Sequence, residues 1–137
     1  MKTAIRYYTR SGNTEKLAKA VSQALDVPAE TVAVPLEEKT ELLFLGCSYY
    51  AFDMDPCVKQ FLRDNRENIG RVVCFGTSAM MRSMKRPMQK VLRELHIPLA
   101  EEEFHCRGAF HRAHPGRPNE KDCLAVQTFA RAAAEKY

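Results

Sequence analysis

The chain has 137 residues, 45% hydrophobic and 28% charged, with a formal net charge of +4 at pH 7. This length predicts one domain, residues 1–137, able to bury roughly two-thirds of its unfolded surface without disulfide or metal staples. The balance excludes a disordered chain, and no apolar run approaches the roughly 18 residues of a membrane span.

The opening Met1–Arg6 has no long apolar core and no small-residue cleavage site, so no signal peptide is expected. Thr3-Ala4-Ile5-Arg6-Tyr7-Tyr8 predicts a first strand, interrupted by one charge that needs a partner. After a polar turn, Leu17, Val21, Ala24 and Leu25 recur at helical spacing. Thr31-Val32-Ala33-Val34 predicts a short second strand closed by Pro35. Glu41–Cys47 is the most apolar segment and predicts a third strand buried on both faces. Only Leu36 to Thr40 separate these two strands, too few for a full crossover helix, so an extended link or a clipped helix is expected there.

Asp55-Pro56 has the form of a helix N-cap followed by proline at the first helical position, with Val58, Phe61 and Leu62 as the apolar face. Val72–Gly76 predicts a buried fourth strand. Met84, Met88, Val91, Leu92 and Leu95 form a helical stripe that ends before Pro98. Glu102–Cys106 predicts a fifth strand. Asn119 then caps a last helix, with Asp122 in the place of a capping-box acid and Cys123, Val126, Phe129, Ala130 and Ala133 facing inward. The order β-α-β-β-α-β-α-β-α, with continuous apolar strands, predicts a doubly wound α/β sandwich: a parallel sheet with helices on both faces.

The turn Thr9-Arg10-Ser11-Gly12-Asn13-Thr14 joins the first strand to the first helix. A helix N-terminus presents unpaired N–H groups and a partial positive charge, which suit a phosphate. Thr9, Ser11 and Thr14 offer hydroxyls, Gly12 permits close backbone approach, and Asn13 tolerates the left-handed conformation. The loop holds no acidic residue to repel an anion. It is neither Gly-x-Gly-x-x-Gly nor a loop ending in Gly-Lys-Ser/Thr, so neither a dinucleotide nor nucleoside-triphosphate hydrolysis is indicated. A terminal monophosphate fits better.

With this loop the sequence resembles the flavodoxins. Tyr8–Thr14 is similar to the family's phosphate loop, Leu43–Tyr50 to the strand and loop on one side of the flavin, and Val73–Ser78 to those on the other side. Phe104–Gly108 and His114–Asp122 are similar to the closing segments of short-chain members. The resemblance implies a five-stranded parallel sheet in the order 2-1-3-4-5 that binds flavin mononucleotide (FMN) noncovalently. It places Thr9, Arg10, Ser11, Gly12, Asn13 and Thr14 on the phosphate. Ser48, Tyr49, Tyr50, Ala51, Phe52 and Asp53 would flank the isoalloxazine on one side, and Gly76, Thr77, Ser78 and Ala79 on the other. The residues agree with this much: an aromatic among Tyr49, Tyr50 and Phe52 can stack on a flat ring, and Met80 and Met81 can cover its other face. The loop from Ser48 to Asp53 has no glycine, so a positive φ there is costly.

The implied function is electron transfer between redox proteins, with no catalytic side chain. The alternative is an FMN-dependent oxidoreductase acting on a quinone-like substrate, or an electron-delivering subunit of a reductase. Residues 80–121 hold nine Lys/Arg and five acids, an excess equal to the net charge of the whole chain. This cationic rim favours redox partners with an acidic docking surface. Nucleic acid is not expected, because the basic stretch from Arg82 to Arg93 has no interleaved aromatics. His105, Cys106, His111 and His114 match no metal-ligand spacing, so no metal is expected. Cys57, near a helix start, is a candidate for a lowered thiol pKa, although a buried inert thiol is the commoner case for such a residue. Five cysteines without close-spaced pairs point to reduced thiols in the cytoplasm.

Overall fold

The apolar runs become strands, and their hydrogen bonding assembles one sheet. The computed structural model describes residues 2–50, 53–78, 83, 85–108 and 115–137, the side chains of Tyr49, Tyr50 and Asp53 excepted. The elements are β1 (Thr3–Tyr7), α1 (Asn13–Leu25), β2 (Ala29–Thr31), β3 (Leu42–Tyr50), β4 (Asp53–Met54), α2 (Pro56–Asp64), β5 (Val72–Thr77), α3 (Lys85–Glu94), β6 (Leu99–Cys106) and α4 (Glu120–Lys136). The main path runs β2-β1-β3-β5-β6, parallel throughout, which is the expected 2-1-3-4-5 order of five strands. The two-residue β4 is an antiparallel addition to the end of β3.

The registers stack Ile5, Phe44 and Val73 across the centre of the sheet. On that face α1 contributes Leu17 and Val21, and α4 contributes Val126 and Ala130. On the other face lie Leu43, Leu45 and Cys74, covered by Val58, Phe61 and Leu62 of α2 and by Met88 and Leu92 of α3. Burial on both faces explains why β3 and β5 read as unbroken apolar runs rather than alternating ones. Asn119 and Asp122 form the expected capping box: Asn119 Oδ1 accepts from Asp122 N at 3.0 Å, and Asp122 Oδ2 accepts from Asn119 N at 2.9 Å. All five cysteines are free thiols. Among the described residues no helix is long and apolar enough to cross a membrane.

The second strand differs from expectation. It occupies Ala29–Thr31 rather than 31–34: Val32 N still donates to the carbonyl of Tyr7 at 3.0 Å, and the chain then turns, Val34 N donating back to the carbonyl of Thr31 at 3.0 Å. Arg6 supplies the reason. Its guanidinium, buried at the strand edge, donates to the carbonyls of Val34 (2.9 Å), Pro35 (3.2 Å) and Ile5 (3.0 Å), and lies 3.7 Å from Glu30. Carbonyls bent toward a buried cation cannot also continue a parallel ladder. The link that follows carries no helix, which leaves the first of the two expected forms. Leu36 anchors it, its N–H donating to Asn65 Oδ1 and its carbonyl accepting from Asn68 Nδ2.

Candidate functional site

The sheet order reverses between β1 and β3, because the chain leaves β1 toward β2 and returns to β3 on the other side. In open α/β sheets ligands bind in the crevice at the carboxyl ends of the strands at such a switch point. The turn from Thr9 to Thr14 sits there. Gly12 is the residue before α1, at φ +87° and ψ −3°, a left-handed conformation that L side chains rarely adopt. A Cβ built on Gly12 would meet nothing within 4 Å, so the space above it is open. Gly12 has no side chain with which to cap α1, and the helix points its partial positive charge at that space. Thr9 Oγ1 shapes the turn by accepting from Gly12 N at 2.9 Å. Ser11 is exposed at the tip.

Beneath the turn three buried hydroxyls converge from three elements. Thr14 Oγ1 in α1 is 2.5 Å from Ser48 Oγ in β3 and 3.3 Å from Thr77 Oγ1 in β5, and Ser48 Oγ is 3.0 Å from Thr77 Oγ1. Ser48 and Thr77 are register partners, which brings them together. Each hydroxyl has one donor and two acceptor positions, so a cluster of three can turn its hydrogens inward or toward an anion. Gly108, just past β6, closes the cluster from the side: a Cβ there would lie 2.8 Å from Asn13 Nδ2 and 3.1 Å from Thr77 Cβ. The structure therefore gathers Thr9, Gly12, Asn13, Thr14, Ser48 and Thr77, and adds Gly108. Gly76 and Ser78 lie at the end of β5, with Ser78 N donating to the carbonyl of Cys106 at 3.2 Å.

Arg10 reaches across to α2, with Nη2 2.6 Å from Asp55 Oδ2. Asp55 also accepts from Cys57 N at 2.9 Å, which makes it the N-cap that the Asp55-Pro56 pair predicts. The bond from the Cys57 N–H, joined by Arg10, lowers the Asp55 carboxyl to a pKa of about 2. Through a hydrogen bond the same carboxylate raises the Cys57 thiol, so the candidate lowering is not found, and the thiol is exposed rather than buried. A depressed folded-state pKa means that Asp55 contributes stability above its ordinary range near pH 4, and that this contribution is lost as pH falls toward about 2. Glu102, held by Lys136 and Tyr137, titrates in the same window, so a comparison of variants is needed to isolate Asp55. The Asp55→Asn protein is expected to melt below the wild type at pH 5, with the gap closing toward pH 2.5. Thermal unfolding followed by circular dichroism checks this, and a gap constant with pH refutes it.

Ala51, Phe52, Ala79, Met80, Met81, Arg82, Met84, His111, Arg112 and His114 lie outside the described residues. Of Tyr49, Tyr50 and Asp53 the backbone is described: Tyr49 pairs with Met54 and Tyr50 with Asp53, antiparallel.

No family model matches this chain, and no curated protein does. Solved structures do. A flavodoxin from the domain Archaea superposes with a TM-score of 0.77 at 19% identity, over 99% of this chain and 98% of that one. Oxidised flavodoxin 2 from Bacillus cereus superposes at 0.71 and 23% identity, over all of both chains. The rubredoxin oxygen:oxidoreductase of Desulfovibrio gigas matches 98% of this chain with 35% of its own length, at a TM-score of 0.74 and 14% identity. The fold is that of the flavodoxins, in its short-chain form.

Proposed function

We propose that the chain is one domain that binds FMN and carries electrons between redox proteins in the cytoplasm. The observation that carries this reading is the left-handed, open Gly12 at the uncapped start of α1, set above the Thr14–Ser48–Thr77 hydroxyls at the switch point of the sheet. This donor set suits a dianionic monoester: main-chain N–H groups, hydroxyls and a helix dipole, with no carboxylate among them. Thr9, Ser11, Gly12, Asn13 and Thr14 would hold the phosphate, with Ser48 and Thr77 supporting Thr14 from below. Arg10 braces the loop through Asp55. The segments from Ser48 to Asp53 and from Gly76 to Ala79 would flank the isoalloxazine. FMN, when bound, supplies the electron-accepting and electron-donating ring; the chain binds it, orients it and sets its surroundings.

The five free thiols agree with a reducing compartment. The visible spectrum of purified protein, with reductive titration, tests the reading. One FMN per chain is expected, with reduction and reoxidation reversible and a melting temperature that rises with added FMN. Protein that binds no flavin and gains no stability from FMN overturns it. The match to about a third of an oxidoreductase favours a second reading, an FMN-dependent oxidoreductase or the electron-delivering part of one. Steady reduction of a quinone by NAD(P)H, without a second protein, would select it.

A further inference from the structure

The basic excess of the sequence takes a definite shape once α2 and α3 lie side by side on one face of the sheet. Between them runs a groove of about 500 Å³. Pro87 and Val91 of α3 and Leu95 just past its end, spaced by four, line it with apolar surface, each of them half-buried. Lys59 and Arg63 of α2 and Arg86 and Lys90 of α3 supply its positive charge, against one acid among the described residues, Glu94, on the last turn of α3. Arg86 and Lys90 are exposed and make no ion pair among the described residues. Lys85, by contrast, turns away to the Glu101 carbonyl of β6 and is not part of the lining.

We infer that this groove docks an acidic amphipathic segment of a partner protein, its apolar side chains on the Pro87–Val91–Leu95 stripe and its carboxylates on the flanking cations. Charge complementarity commits the groove to an acidic occupant. The stripe distinguishes a peptide from a simple polyanion, because phosphates would leave three apolar side chains uncovered while a helix with two leucines four residues apart covers them. Among the described residues the lining has no aromatic side chain on which nucleic-acid bases would stack. Both helices start at the carboxyl ends of the strands, where the candidate site lies, so Lys59 and Arg86 mark the end of the groove nearest to it, and Glu94 the far end. A segment with its carboxylates toward the site and a cation at the other end fits this polarity. That the partner exchanges electrons rests on the carrier function proposed above; the docking itself does not.

The test uses the full chain, labelled with nitrogen-15 and saturated with FMN. It is titrated with a synthetic amphipathic helix carrying four Asp/Glu and two leucines four residues apart. Saturable amide shifts are expected along 59–63 and 86–95. The double variant Arg86→Glu/Lys90→Glu is expected to bind at least about tenfold more weakly, and raising salt from about 50 to 300 mM is expected to weaken the wild type several-fold. The variant should keep its yellow colour, since neither residue touches the phosphate turn. Shifts centred elsewhere overturn the inference. So does equal affinity for the same peptide with serine in place of leucine, or for an oligothymidylate of equal charge, either of which makes the groove a generic polyanion surface. Peptide binding to a chain that takes up no FMN would sink the carrier reading and leave the groove standing.

Discussion

Gly12→Asp is expected to lose at least about a hundredfold in FMN affinity while the apo-protein keeps nearly its original melting temperature. The two outcomes separate because they have different causes. At φ +87° any L residue is strained, by roughly 1 kcal/mol, and Asn and Asp tolerate that conformation best. A Cβ at Gly12 meets nothing, so no steric term adds to the strain. An aspartate before an uncapped helix also recovers some stability by facing its positive end. Folding is therefore close to neutral. Binding is not, because the carboxylate stands in the open space that we assign to the phosphate. At an effective dielectric constant near 20, two like charges about 4 Å apart repel by about 4 kcal/mol, more than the roughly 2.8 kcal/mol of a hundredfold change. Gly12→Asn is the control, with the same shape and backbone demand but no charge, and it is expected to lose much less. Flavin titration followed by fluorescence quenching measures all three proteins. A Gly12→Asp protein that retains full colour removes the turn from the site.

The features that were legible in the sequence share one property: their causes are local. The capping box at Asn119 and Asp122, the Asp55-Pro56 start of α2 and the hydroxyl turn at Thr9 to Thr14 each depend on residues a few positions apart, and each appears where the spacing predicts. The unbroken apolar runs of β3 and β5 likewise announce burial on both faces. What was not legible depends on long-range geometry. Arg6 displaces β2 through carbonyls some thirty residues away, and no pattern in residues 31–34 signals that. Thr14, Ser48 and Thr77 meet only because of a sheet register, although each stands in a segment singled out by the family resemblance. Arg10 reads as a phosphate ligand until Asp55 is found 2.6 Å away. The groove between α2 and α3 was half visible: the cations of α3 belong to the basic stretch, but Lys59 and Arg63 lie outside it and join them only when the helices are placed side by side.

Gly46→Ala is expected to destabilise the protein by about 2 kcal/mol and lower its melting temperature by roughly 8 °C, reversing the usual sign of a Gly→Ala change. In an unstrained strand such a change gains about 0.5–1 kcal/mol by restricting the unfolded chain. At Gly46 the new methyl would lie 2.4 Å from Phe75 Cε2 and 2.5 Å from Cζ, with Thr14 Cγ2 at 3.1 Å. Gly46 and Phe75 are register partners on adjacent strands, and the ring fills the space that the missing side chain leaves. Phe75 is fully buried among side chains such as Ile5, Leu17 and Phe44, so the ring has nowhere to swing. The alternative is to push α1 outward at Thr14, which pulls apart the hydroxyls beneath the phosphate turn; FMN affinity should therefore fall along with stability. A double-mutant cycle isolates the cause. Phe75→Leu alone is expected to cost about 1 kcal/mol for the volume it removes, but in the Gly46→Ala background it should cost little or restore stability, a coupling of at least about 1 kcal/mol. Urea unfolding of the four proteins measures that coupling. Strict additivity would show that the sheet absorbs the methyl some other way, and that Gly46 is not what lets the ring of Phe75 and the first turn of α1 close over β3.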